Sequence, residues 1–149
     1  VSFMNDGVLI KIFMQLKRVH RRRCLDGFRK FEISKGQPKI LNYLAENDGS
    51  IQREIAKNCN IEPATVTSIL ATMEKSGFIE RKLNEEDRRI INVYLTEKGK
   101  ETQRNCQDVI CEIEKECFAG FSDEEKEQAK VLFERMYNNL NREDENINV

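Results

Sequence analysis

The chain has 149 residues, 39% hydrophobic and 34% charged, which suits one domain with helical extensions and a proper core. A formal net charge of −1 and a pI near 6.0 argue against a uniformly basic nucleic-acid binder. Five cysteines, an odd number without regular spacing, argue against a disulfide framework and for a reducing compartment, so a cytoplasmic location is expected.

No run approaches the length of a membrane span, and no membrane partner is expected. The most apolar early piece, GVLIKIFMQL, is broken by Lys11 and lacks a basic segment before it, so it is not expected to be a signal peptide. Leu9, Ile12, Phe13, Leu16, His20, Cys24, Phe28 and Phe31 recur at helical spacing and predict a long first helix. A second helix is expected from Pro38, with Ile40, Leu41 and Leu44 inward. After the turn ENDGS, Ser50 is expected to cap a short helix from Ile51 to about Asn58, with Ile55 and Ala56 inside.

NIEPATVTSILATMEKSGF carries the clearest helix signals. Pro63 suits the first helical position, where a missing N–H costs nothing. Ile61 and Val66 are spaced for a hydrophobic staple, and Gly77 for a left-handed stop. Glu62 is a poor N-cap. FIERKL and IINVYL then read as two strands joined by NEEDRR, with Ile91, Val93 and Leu95 alternating inward. Thr96 caps a predicted helix to about Ala119, striped by Cys106, Val109, Ile110, Ile113 and Cys117. SDEE at Ser122 to Glu125 is a capping box for a last helix striped by Ala129, Leu132, Phe133, Met136, Tyr137 and Leu140. The tail NREDENINV is expected to fray.

The fold class is therefore mainly α with a small antiparallel hairpin, an α+β winged helix–turn–helix flanked by terminal helices. Val66, Ile69, Leu70 and Met73 fill the inner stripe of the signed helix, leaving Ala64, Thr65, Thr67, Ser68, Ala71, Thr72 and Lys75 outside. In so charged a chain, a short, threonine-rich face is unusual. Short side chains let a helix sit deep in a major groove, where hydroxyls bond base edges and methyls touch thymine. The plainer alternative is a helix packed on another subunit through small residues. In EEDRRIINVYLTEK, Asp87 and Arg89 are two apart and share one side of an extended chain, while Arg88 points away. A braced arginine on a thin hairpin suits a narrow, electronegative minor groove. The plainer alternative is a surface ion pair worth about 0–1 kcal/mol.

From GQPKILNYL at Gly36 through REIAKNCNIEPATVTSILATMEKSGFIERKLNEEDRRIINVYLTEKG to Gly99, the sequence resembles the MarR family of bacterial transcriptional regulators. The resemblance implies a homodimer on a pseudo-palindromic double-stranded DNA operator, usually a repressor, released by a small-molecule effector. It implies a DNA-binding domain over 36–96 and a dimerisation region from 1–35 and 97–149. By match to the recognition helix, Ala64, Thr65, Thr67 and Ser68 face the bases. By match to the wing, Asp87 braces and Arg89 enters the minor groove; Arg88 is expected to support binding to all sequences alike. Many members carry arginine where this chain has Ser68, so the preferred site does not carry over. The effector pocket is expected between the first, second and fifth helices.

Charge is graded along the chain: residues 1–35 carry +6, 36–99 carry −1 and 100–149 carry −6. Interlocking of the two ends across a dimer explains this, with DNA contact by KRVHRRR (Lys17 to Arg23) as the alternative. A cysteine-based redox switch and a protein-interaction module without DNA binding are the other readings. Cys106 and Cys117 are expected buried, Cys59 packed in a turn and Cys111 exposed. The field of Arg21, Arg22 and Arg23 is expected to favour the Cys24 thiolate. One histidine and scattered cysteines make no zinc site, so no cofactor is expected. No nucleophile–base pair, paired acids or phosphate loop indicates an enzyme.

Overall fold

The spacing of apolar residues becomes six helices and three short strands in a computed structural model that describes residues 7–141. Their order is α1 (Val8–Phe28), α2 (Gln37–Glu46), β1 (Ser50–Ile51), α3 (Gln52–Cys59), α4 (Pro63–Lys75), β2 (Ile79–Leu83), β3 (Ile91–Leu95), α5 (Glu97–Cys117) and α6 (Asp123–Asn141). The mainly helical class with a small antiparallel sheet is thus as the sequence indicates. Two compact units divide at Ile113/Glu114, inside α5. Among the described residues no helix is long and apolar enough to cross a membrane. The tail expected to fray lies outside the described residues, apart from Asn141.

The first unit is built on a core from α2, α3, α4 and the sheet. Ile40, Leu41, Leu44, Ile55, Val66, Leu70 and Met73 are wholly buried there, joined by Phe78, Ile79, Val93 and Leu95. Each such side chain contributes about 1.5–3 kcal/mol by leaving water, so this cluster fixes how α3 and α4 cross. Helix α4 begins at Pro63, and Glu62 makes no side-chain cap, as its chemistry foretells. It ends in a Schellman motif. Phe78 N–H donates to Met73 O at 2.9 Å and Gly77 N–H to Glu74 O at 3.0 Å, with Gly77 at φ +81°.

Ser50 does not cap α3. It lies in β1, paired with Val93, and its hydroxyl donates to Asn47 O at 2.7 Å. The cap position falls to Ile51, whose N–H is taken by Glu54 Oε2 at 3.1 Å. Two residues are too short a run to show the alternation that marks a strand, so β1 was not legible. The sheet order is β1-β3-β2, all antiparallel. Cys59 closes α3 as its last residue, buried, rather than sitting in the turn.

Ile91 also departs from expectation. Val93 and Leu95 are buried, but Ile91 is 44% exposed opposite Leu83, 59% exposed. The hairpin outruns the core, so its outer half has nothing to bury against.

Thr96 caps α5 as expected, accepting Gly99 N–H at 3.0 Å. A second, smaller cluster joins Cys24 and Phe28 of α1 to Cys106 of α5, flanked by Val109, Ile110 and Ile113. Helix α1 stops at Phe28, short of Phe31, because Arg29–Phe31 tightens into a 3-10 turn and Glu32 turns left-handed at φ 57°. Leu9, Ile12, Phe13 and Leu16 on its striped face are all exposed in the single chain.

In the second unit the capping box forms as read. Ser122 N–H donates to Glu125 Oε2 at 2.8 Å and Glu125 N–H to Ser122 Oγ at 3.1 Å. Phe118 and Phe121 meet edge to face at 5.4 Å. The α6 stripe of Leu132, Phe133, Met136, Tyr137 and Leu140 is exposed, and so is Cys117, which the stripe on α5 had placed inside. These residues have helical periodicity, which specifies a face but not what covers it.

Candidate nucleic-acid interface

The inner stripe of α4 fixes which side chains it offers outward. With Val66, Leu70 and Met73 buried and Ile69 half-buried, Ala64, Thr65, Thr67, Ser68, Ala71, Thr72 and Lys75 are all exposed. Their hydroxyls are not equivalent. Thr67 Oγ1 donates to Pro63 O at 3.1 Å and Thr72 Oγ1 to Ser68 O at 3.2 Å, both bonding back one helical turn. No such bond engages the hydroxyls of Thr65 and Ser68 among the described residues.

At the hairpin tip, Asp87 and Arg89 do meet, though not by the alternation of an extended strand. The segment is a turn, closed by Ile90 N–H donating to Asp87 O at 2.9 Å. Asp87 Oδ1 accepts the Arg89 backbone N–H at 3.0 Å and its Nε at 3.1 Å, and Oδ2 accepts the guanidinium at 3.2 Å. The hydrogen bond from the Arg89 side chain, then that from its backbone, holds the Asp87 carboxyl below its ordinary range. Arg89 remains 91% exposed despite these contacts. Arg88 is exposed as well. Asn84 rigidifies the same loop, its Oδ1 accepting the N–H groups of Glu86 and Asp87 at 2.9 and 3.0 Å.

Strand β2 and helix α5 are both tied to the end of α4. Arg81 on β2 donates to both carboxylate oxygens of Glu74 on α4, at 2.8 and 3.2 Å, and those bonds pull the Glu74 carboxyl below its usual range. Lys98 Nζ donates to Ser76 O at 2.7 Å and lies 4.9 Å from the Phe78 ring centre. These ties escaped the sequence reading because both lysine and glutamate there look like ordinary surface charge. Gln52, which opens α3, was also missed. Its side chain reaches across to hydrogen-bond Thr67.

The cysteine expectations change. Burial pushes the Cys24 thiol up, outweighing the lowering by Arg23, and burial raises Cys59 and drives Cys106 to about 11. Cys111 is half-buried rather than exposed. His20 is exposed, with ring nitrogens 3.8 and 3.9 Å from Cys24 Sγ. A cavity of about 520 Å³ opens between α1 and α5, lined by Gly27, Phe31, Val109 and Ile113 with Arg23 and Lys30. Helix α2, an expected wall, supplies none of its lining.

Two crossed helices followed by a hairpin, with a small-residue helix face beside a braced tip arginine, define a winged helix–turn–helix regulator. The MarR family model matches residues 33–91. The chain is 34% identical over 116 residues to the uncharacterized HTH-type transcriptional regulator YdgJ of Bacillus subtilis, covering 75% of this chain and 71% of YdgJ. It is 27% identical over 131 residues to the HTH-type transcriptional repressor IacR of Pseudomonas putida, covering 86% and 78%. The S. aureus MepR–DNA complex superposes with a TM-score of 0.74 at 25% identity, over 91% of this chain and 99% of that one. The chain belongs to the MarR family of transcriptional regulators, which are not enzymes.

Proposed function

We propose that this regulator binds double-stranded DNA sequence-specifically as a homodimer, represses from a pseudo-palindromic operator and is released by a small-molecule effector. Helix α4 enters the major groove through Ala64, Thr65, Thr67 and Ser68, and the wing enters the flanking minor groove through Arg89. The observation that carries this reading is the tip of the wing. Arg89 is almost fully exposed yet held by three hydrogen bonds to Asp87. A guanidinium already oriented gives up little rotamer freedom when it enters a narrow, electronegative groove. The structural likeness to MepR, solved with DNA, supports the same reading.

Residues 36–96 form the DNA-binding part, and 1–35 with 97–149 the dimerisation region. The exposed apolar residues of α1 and of α6 support this division, because such faces mark association surfaces. Similarity to the repressor IacR supports repression. The cavity between α1 and α5 supports a small-molecule effector over cysteine oxidation, since burial disfavours the Cys24 and Cys106 thiolates.

The test is selection of a site from random duplexes by the purified full chain, followed by affinity measurements against salt. Phosphate neutralisation predicts a loss of about a thousandfold or more between about 50 and 200 mM salt. Arg89→Ala is expected to lose about tenfold at the selected site. Failure to select any site, or equal binding at both salt concentrations, overturns the proposal.

A further inference from the structure

The outer face of α4 presents four hydroxyls, and they divide by what they already bond. Thr67 is the most committed. Its proton goes to Pro63 O at 3.1 Å, and its oxygen accepts a hydrogen bond from Gln52 Nε2. Nε2 faces Thr67 Oγ1, the arrangement that suits a threonine proton directed at the Pro63 carbonyl.

The bond also crosses between elements. Gln52 is the first residue of α3 and Thr67 sits in the second turn of α4, 15 positions later. A back-bond from threonine to its own helix is common and easily broken by rotation about χ1. A second bond, from a half-buried side chain on another helix, removes that freedom. To donate its hydroxyl to a base, Thr67 must break the bond to Pro63, and swinging the hydroxyl outward about χ1 would also leave Gln52 without its acceptor. Besides the second lone pair of Oγ1, what this exposed side chain can offer without breaking a bond is its methyl.

We propose that Gln52 is a positioning residue of the reading surface, holding Thr67 so that it reads a thymine C5-methyl by apolar contact instead of bonding a base edge. Thr65 and Ser68, whose hydroxyls have no such bond among the described residues, are the hydrogen-bonding readers of the same face. The inference rests on the reading of this face as a DNA surface and goes beyond it by giving Thr67 a chemical preference.

The experiment uses the selected site, with each thymine replaced in turn by deoxyuridine, which removes only the C5-methyl. For the wild-type chain, one thymine per half-site should matter, with binding weakened about fourfold, the scale of one buried methyl. Thr67→Ser keeps the hydroxyl and both its bonds but lacks the methyl, and should bind thymine and uracil sites equally. Thr67→Val loses the bond to Gln52 but is confined to one χ1 rotamer in a helix by its own branching, with a methyl where threonine carries one, and should retain the discrimination. Gln52→Leu should shrink the thymine-to-uracil ratio at that one base pair, although Thr67 itself is unchanged. That ratio separates positioning from a general loss of stability, which would weaken both sites alike.

A Thr67→Ser chain that discriminates as wild type does puts the methyl contact on another residue and overturns the proposal, as does a Thr67→Val chain that no longer distinguishes thymine from uracil. So does a Gln52→Leu chain with an unchanged ratio. If wild type selects no site at all, the DNA reading itself has failed. A selected site indifferent to every uracil removes this proposal alone.

Discussion

Gly99 lies so close to Phe78 that a Cβ on it would stand 2.0 Å from the Phe78 carbonyl oxygen. The contact is the centre of a joint between the end of α4 and the start of α5. The Thr96 N–H donates to that same carbonyl at 3.1 Å, and the Thr96 hydroxyl donates to Gly77 O at 2.5 Å. Lys98 adds its bond to Ser76 O. Backbone carbonyls of Ser76, Gly77 and Phe78, just beyond α4, are thereby satisfied by Thr96 and Lys98 at the start of α5. The end of α4 is consequently fixed to the start of α5.

Gly99→Ala should therefore be among the most damaging single-methyl additions in the chain. The neighbour is backbone, which cannot swing aside, so the joint must open. A loss of about 3 kcal/mol or more is expected in urea unfolding. Gly120→Ala is the control. Gly120 has φ +81° but nothing within 4 Å, so only the left-handed backbone penalty of about 1–2 kcal/mol applies. Equal losses for the two variants would remove the joint from the account.

Asp87→Asn tests the brace separately from the reach. Asparagine can still accept the Arg89 backbone N–H but loses the charge-assisted bonds to the guanidinium. Operator affinity should fall about threefold, against about tenfold for Arg89→Ala. Acid should act in the same direction. Because the folded carboxyl titrates below its ordinary range, its contribution is present above the unfolded value and lost as pH falls through the folded one. The Arg89 Nε–H resonance, followed by NMR down through that range, reports when the hold is released.

Much of this surface is legible in the sequence, and the exceptions have physical causes. The inner stripe of α4 is a period, and a period dictates its complement, so Thr65, Thr67 and Ser68 could be placed outside from spacing alone. The Asp87–Arg89 pair was legible for a different reason than the real one: two residues apart suggests a shared strand face, whereas an Asx-type turn supplies the contact. The burial of Ile91 was misjudged because alternation says which face a residue takes and not where the core ends. Strand β1 and the Gln52–Thr67 bond depend on tertiary placement of segments with no local signature. Cys24 illustrates a competition that sequence shows one side of: the arginines are visible, the burial is not.

Native thiol reactivity should follow burial instead of neighbouring charge. With iodoacetamide near neutral pH, Cys117 should react first, while Cys24, Cys59 and Cys106 stay protected. Mass spectrometry of the labelled peptides gives the order. Cys106 also sets an alkaline limit. Its folded value is raised to about 11 from 9.0, so the stability it lends is intact below about 9 and is lost as pH rises through about 11. Fast labelling of Cys24 at neutral pH would restore the redox reading.

The exposed stripe of α6 makes the sharpest demand on the proposed dimer. Phe133 and Met136 are three apart on one face, 44% and 42% exposed in the single chain. Covered by a second copy, a glutamate at either position would be buried without a partner, costing several kcal/mol per subunit. Left in solvent, it would cost almost nothing, because glutamate is a good helix former. Met136→Glu should therefore sediment as a 17.5 kDa monomer with undiminished helical circular dichroism, while the parent chain sediments at twice that mass. The variant should also lose the dependence on half-site spacing, since a single reading helix contacts one half-site only. A parent chain that is itself monomeric at micromolar concentration would detach both apolar faces from self-association.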